Sequence, residues 1–206
     1  TMAATAESDS VPRMAAHVNL RPLTLQDRDR VLTWRNSPEV SEYMYSDDII
    51  APEAHARWLD AALDDPRRRY WIIEMDGAPV GLANLYDIDP ISRRASWAFY
   101  LGEASTRGKS IGAMVELMVL DIVFGEMGLG KLWCEVLDMN TGVVRLHQKF
   151  GFRQEALLRR HIFKGREAHD VVGLGLLAEE WAAARPAMAD RLRAQGFEIL
   201  TSSQLD

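Results

Sequence analysis

Residues 105–124 read STRGKSIGAMVELMVLDIVF, a short basic loop bearing glycine that runs directly into an apolar helix. Ile111, Val115, Met118, Val119 and Ile122 recur at helical spacing, which predicts a helix over 109–126 with a buried stripe. Gly128 and Gly130 end it. A helix with such a stripe draws its stability from a surface it covers rather than from its own propensity. The flanks supply that surface: RASWAFYL (94–101) before the loop and KLWCEVL (131–137) after the helix both read as strands.

The rest of the chain extends one sheet. HVNLRPL (17–23) alternates as a half-buried strand does. Thr24 opens a first helix with Asp27 at capping-box spacing, and Pro38 starts a short second piece. Pro52 suits the first turn of PEAHARWLDAAL. RYWIIEM (69–75) and APVGLANLYDI (78–88) flank Asp76-Gly77, a hairpin signal. Asn140 is placed to cap TGVVRLHQKF, and two further strands meet at a Lys164-Gly165 turn. A terminal helix is expected to break or kink at Pro186. Strands and helices alternate irregularly, so the fold class is α+β around one sheet. Residues 1–16 are expected to be a flexible N-terminal segment, 17–180 the domain, and 181–206 a helix and tail.

A formal charge of −6 argues against nucleic acid as the main partner. The single cysteine, Cys134, excludes internal disulfides and fits a reducing compartment. No apolar run approaches the roughly 20 residues that span a bilayer, and the opening residues lack a leader's basic and apolar regions. A cytoplasmic protein with neither membrane nor metal partner is expected.

Amides in a loop and first helical turn have no partner within the helix, and the helix dipole adds partial positive charge there. A diphosphate laid on residues 107–112 would gain from both. Arg107 and Lys109 add full charges, and Gly108 and Gly112 allow close approach. A basic surface turn would use the same residues. The spacing is neither a Walker loop nor a Rossmann fingerprint.

RGKSIG (107–112) resembles the acetyl-CoA pyrophosphate loop of the GCN5-related N-acetyltransferases (GNAT), written Arg/Gln-x-x-Gly-x-Gly/Ala. Arg107 and Gly112 match, and Ser110 replaces the first glycine. NTGVVRLHQKFGF (140–152) resembles the later motif of that family. The resemblance covers roughly 18–180. It implies a mixed, mostly antiparallel seven-stranded sheet, splayed between 94–101 and 131–137, with pantetheine threaded through the gap. Main-chain groups of Phe99, Tyr100 and Leu101 would pair with pantetheine. Arg107, Gly108, Lys109, Ser110, Ile111 and Gly112 would hold the diphosphate, and Asn140 would cap its helix and contact the cofactor. His147 stands where the family often has a tyrosine proton donor, with Tyr100 or water as substitute. No carboxylate among Asp87, Glu135, Asp138 and Asp170 is singled out as base.

Acceptor specificity falls to the N-terminal third and to strand 94–101. LTWRNSPEVSEYMYSDDIIAPEAHARWL offers Arg35 for a phosphate, aromatic faces for a base or sugar, and Asn36 and His55. Together with NLYDID and WAFYL it is similar to the UDP-4-amino-4,6-dideoxy-N-acetyl-β-L-altrosamine N-acetyltransferases of pseudaminic acid biosynthesis, whose product decorates flagellin. That similarity implies transfer to the C4 amine of a UDP-linked sugar, held by Arg35, Asn36 and His55 with Trp97 and Tyr100 beside it. A homodimer is a further expectation. Two alternatives remain at this point: an acetyltransferase of protein N-termini, of the ribosomal-protein type, and a CoA-binding protein without turnover.

Overall fold

The computed structural model describes residues 15–199. Most of the expected N-terminal segment 1–16 and the end of the 181–206 tail lie outside the described residues.

Seven strands form one sheet in the order β1-β2-β3-β4-β5-β7-β6. They are β1 (Val18–Pro22), β2 (Arg69–Met75), β3 (Ala78–Asp89), β4 (Arg94–Leu101), β5 (Lys131–Leu137), β6 (Arg153–Lys164) and β7 (Glu167–Leu177). Every neighbouring pair is antiparallel except β4–β5. Asp76 and Gly77 both take positive φ, 52° and 79°, which matches the type I′ turn between β2 and β3. Between β6 and β7 the loop residues are Gly165 and Arg166, one position later than the expected turn.

Helices cover both faces. α1 (Arg28–Asn36), α2 (Pro38–Ser41) and α3 (Pro52–Asp64) lie over one, where Val31, Trp34 and Leu59 pack with Ile72 and Leu82. α4 (Ile111–Asp121), α5 (Thr141–Lys149) and α6 (Ala178–Ala194) contribute to the larger core on the other. At the start of α1, Thr24 N–H donates to Asp27 Oδ2 at 3.1 Å, the backward half of the expected capping box. Arg21 grips both oxygens of Asp27, which holds that carboxyl well below its usual range. α4 is shorter than expected: a wider π turn at Ile122–Glu126 takes over its end. Ile111, Val115 and Val119 are buried as expected, but Met118 and Ile122 are only half-buried. Met114, Glu116, Leu117 and Leu120 are buried as well, so α4 is enclosed rather than striped. α6 continues through Pro186 without a break, tied to α4 where Arg185 forks onto Asp121. Among the described residues no helix is long and apolar enough to cross a membrane.

The feature that positions the site is the parallel pair. β4 and β5 match only at Arg94–Lys131, Ala95–Leu132 and Ser96–Trp133. Beyond that point the strands separate, leaving Trp97–Leu101 and Cys134–Leu137 unpaired with each other. On the α4 side the gap is underlaid by a cluster of rings: Trp97 stacks on Phe99 at 5.3 Å, and His147 meets Trp97, Phe99 and Phe152.

Candidate active site

The loop between β4 and α4 opens onto a cleft of about 1320 Å³. Leu101, Gly108, Ser110, Ile111 and Gly112 line it, and Arg107 reaches it from the loop. Gly142, Arg145, Leu146 and Lys149 of α5 form the opposite wall, and Arg191 of α6 closes one end. Arg107, Arg145, Lys149 and Arg191 outnumber the two lining carboxylates, Glu39 and Glu103, as a polyphosphate site requires. Lys109 lies in an adjoining hollow with Arg107, His17 and Asp76. Asn140 occupies the N-cap position of α5, but its side chain makes no capping bond and it does not line the cleft.

Ser110, the position that departs from the glycine pattern, is the residue before α4 and adopts φ 58°, ψ 25°. This is the left-handed region, which costs a non-glycine residue roughly 1–2 kcal/mol. Its side chain makes no capping bond that would offset the cost. Ser110→Gly is therefore expected to stabilise the fold by about 0.5–1 kcal/mol, the strain relieved less the entropy glycine adds to the unfolded chain. An unchanged or lower midpoint in urea unfolding would show that the loop is not strained.

Gly112 serves another purpose. A Cβ there would sit 3.4 Å from the Phe99 ring and 3.5 Å from Leu146 Cδ2, in ordinary contact, so the position has room for a methyl group and little more on that side. Gly102 is under a much tighter constraint: a Cβ would meet the Trp34 ring at 2.4 Å. Trp34 Nε1–H donates to Glu103 Oε1 at 2.7 Å, so α1 is fastened to the turn that leads from β4 into the loop.

A second pocket of about 360 Å³ opens on the other face of the sheet. Arg35 and Met44, Ala54, His55 and Trp58, and Tyr70, Asn84, Ala98, Phe99 and Tyr100 line it, together with aliphatic side chains and no Asp or Glu. Arg35 Nη1–H donates to Met44 Sδ at 3.0 Å, and among the described residues the guanidinium makes no ion pair. The Tyr100 hydroxyl is buried without a hydrogen-bond partner, and burial pushes its pKa up, so it stays protonated. His55 Nε2 lies 2.9 Å from the Arg28 carbonyl, which fixes Nε2–H as the donor, and its ring stacks on Trp58. Burial holds the His55 pKa below its ordinary value, so the ring is neutral.

Besides Asn140, three expected site residues are placed elsewhere. Trp97 is 1% exposed and faces the α4 side, away from the acceptor pocket. Asn36 spends its amide on the backbone of Ile50, donating to its carbonyl at 3.0 Å and accepting from its N–H at 2.9 Å, which closes the α2–α3 loop. His147 is 2% exposed, with Nδ1 2.8 Å from Glu116 Oε1. Burial alone would lower its pKa, but the Glu116 carboxylate outweighs that and raises it to about 10, while burial pushes the Glu116 carboxyl and the Cys134 thiol up in turn. The ring lies beneath the gap, bonded to buried partners, so a proton donor facing the cleft does not fit this placement. The structure adds Tyr70 and Asn84 to Arg35, His55 and Trp58 in the second pocket, and Arg145 and Lys149 to the cationic cleft.

The description "Acetyltransferase (GNAT) domain" fits residues 17–153. The chain is 25% identical to the spermidine N(1)-acetyltransferase of Escherichia coli over 170 residues, 82% of this chain and 91% of that one. It is 22% identical to the acetyltransferase PseH of Campylobacter jejuni over 134 residues, 65% and 82% of the two chains. Its fold superposes on the spermidine N-acetyltransferase of Vibrio cholerae, solved with CoA and spermine, with a TM-score of 0.75 at 21% identity, over 80% of this chain and 98% of that one. The gap between β4 and β5, the cationic cleft at its end and this match over most of the sheet agree: the chain belongs to the GNAT acetyltransferase family and is an N-acetyltransferase that uses acetyl-CoA.

Proposed function

We propose that the acceptor amine is carried by a nucleotide-linked amino sugar, of the UDP-4-amino-4,6-dideoxy-N-acetyl-β-L-altrosamine type, acetylated at C4 for pseudaminic acid biosynthesis. One observation carries the choice. The acceptor pocket presents the Arg35 guanidinium without a counter-ion and has no carboxylate on its walls. A polyamine with several ammonium groups would meet one like charge and no opposite one there, which disfavours spermidine by several kcal/mol at short range in a partly desolvated site. An acceptor with a diphosphate supplies what Arg35 lacks. Trp58, Tyr70 and the neutral His55 ring offer flat faces for a sugar or base.

Acetyl-CoA, when bound, supplies the acetyl group as a thioester. The cationic cleft would hold its diphosphate on the amides of residues 108–112. The edge of β4 that β5 leaves unpaired would offer the backbone of Phe99–Leu101 to pantetheine and to the oxygen on which charge develops.

Thiol release should be fast with the UDP-linked amino sugar and slow with spermidine at equal concentration. Arg35→Ala should raise the apparent KM for the nucleotide sugar by about 10–100-fold, the value of one lost charge-assisted contact, and leave the KM for acetyl-CoA unchanged. Faster turnover of spermidine, or equal kinetics in the Arg35 variant, would refute the assignment.

A further inference from the structure

The second pocket and the cofactor cleft share β4, whose Ala98, Phe99 and Tyr100 line the first and Leu101 the other. Helix α1 joins them a second time. Val31 and Arg35, one turn apart, line the second pocket. Trp34, between them in sequence, turns instead to the end of β4. A Cβ on Gly102 would collide with the Trp34 indole, so the ring lies directly on that main chain. Its Nε1–H donates to Glu103 Oε1 at 2.7 Å, and its edge meets the ring of Tyr100.

Glu103 is the residue on which the turn towards Arg107 is built. Before it, Gly102 N–H donates to the Val80 carbonyl at 2.7 Å, which pins the start of the turn to β3. The Glu103 carbonyl accepts from the Thr106 N–H at 3.2 Å and from the Thr106 hydroxyl at 2.7 Å. Gly102 and Glu103 both line the cofactor cleft. One side chain of α1 therefore grips the segment beside the cofactor, while the next residue reaches the acceptor. The other contacts of this part of α1 are apolar, with Leu59, Ile72 and Leu82, and such contacts have no direction. The bond from the indole to a carboxylate is directional and charge-assisted.

We infer that Trp34 and Glu103 are positioning residues, whose bond sets the acceptor, through α1, at reacting distance from the thioester laid along β4. This rests on the N-acetyltransferase activity and on the two pockets, not on the identity of the sugar. Neither residue is needed to hold a substrate, because other groups do that. The bond acts on the encounter, where a displacement of about 1 Å costs about 100-fold in rate. Losing Arg35 removes a grip and is read in KM. Losing the Trp34 bond leaves the grip in place but lets it drift, and that is read in kcat.

The test follows thiol release in wild type, Trp34→Phe, Glu103→Ala, Glu103→Gln and the double variant Trp34→Phe/Glu103→Ala. The acceptors are the UDP-linked amino sugar, spermidine, and ethylamine, which has no second part to lie against α1. On the larger acceptor that wild type uses, Trp34→Phe and Glu103→Ala should each lower kcat about tenfold or more. Acceptor KM and calorimetric CoA affinity should stay within about threefold. The double variant should be no slower than either single one, since the same bond is lost once. Glu103→Gln keeps an oxygen for the indole N–H and should keep kcat near wild type. Both Glu103 variants remove the same charge from the cleft, so the difference between them reads the bond alone. Rates on ethylamine should be the same in every variant. Glu103 is exposed, so its variants keep the fold and the comparison stands without Trp34→Phe. Wild-type kcat in Glu103→Ala, equal losses in Glu103→Ala and Glu103→Gln, or an equal loss on ethylamine overturns the inference. So does a wild type that uses neither larger acceptor faster than ethylamine, because α1 then positions nothing. Refusal of the nucleotide sugar with spermidine turned over counts against the proposed substrate only, since the variants are then read on spermidine.

Discussion

His147→Ala should lower the free energy of unfolding by about 3–5 kcal/mol at pH 7, the cost of removing one partner from a buried charge pair. Glu116 is 0% exposed in the middle of α4, and its Oε2 already lacks a partner. The imidazole at Oε1 is what compensates its burial. Without the ring both oxygens stand alone in an apolar layer, and a cavity opens beside Trp97, Phe99 and Phe152. Glu116→Gln should cost less, because an amide oxygen still accepts from Nδ1–H and no charge is left behind. The folded pKa of His147 is about 10 against 6.5 for a free histidine, so the contribution of the pair is complete below pH 6.5 and is lost as pH rises towards 10. The contribution of the histidine to the difference between denaturant melts of wild type and His147→Ala should thus be larger at pH 6 than at pH 10. A loss of turnover with unchanged stability would instead return His147 to the proton-donor role that its position in the chain suggests.

That contrast shows which kind of information a sequence carries. His147 is in register with the catalytic position of a known motif, and register is a one-dimensional property. Whether its ring reaches the cleft depends on Glu116, which lies 31 positions away in a stretch, MVELMVL, where one carboxylate reads as the polar edge of a helix. The splay of β4 and β5 was an expectation of the family resemblance carried by RGKSIG and NTGVVRLHQKFGF, and the strands part after Ser96 and Trp133. The departure at Ser110 was legible too, and it falls on the left-handed residue. The cations of α5 could have been found: Gly142, Arg145, Leu146 and Lys149 recur at helical spacing, which puts them on one face. The second pocket was legible only in part: Arg35, His55 and Tyr100 were expected together, but Tyr70 and Asn84 join them only after β2 and β3 have paired. Trp97 and Asn36 were expected there for their chemistry, and the alternation of β4 and the need to close the α2–α3 loop direct them elsewhere.

Gly112→Trp should weaken acetyl-CoA binding by at least about 100-fold, the value of two charge-assisted contacts at the low end of their range. The geometry makes the outcome specific. A Cβ at 112 would touch Phe99 and Leu146 at ordinary contact distance, so a methyl group fits. Gly112→Ala should accordingly change affinity only a few-fold, and its gain in helix propensity offsets some of the crowding. An indole has no space on that side, where the Phe99 and Trp97 rings are stacked. It must turn into the cleft, over the amides at the start of α4, and exclude the diphosphate from both the amides and Arg107. Because Trp34 packs on the other face of the sheet, its bond to Glu103 should survive, and with the indole turned into the cleft the unfolding midpoint should stay near the wild-type value. Calorimetric titration with CoA distinguishes the cases: wild-type affinity in the folded Trp variant would mean that the diphosphate does not lie on this loop.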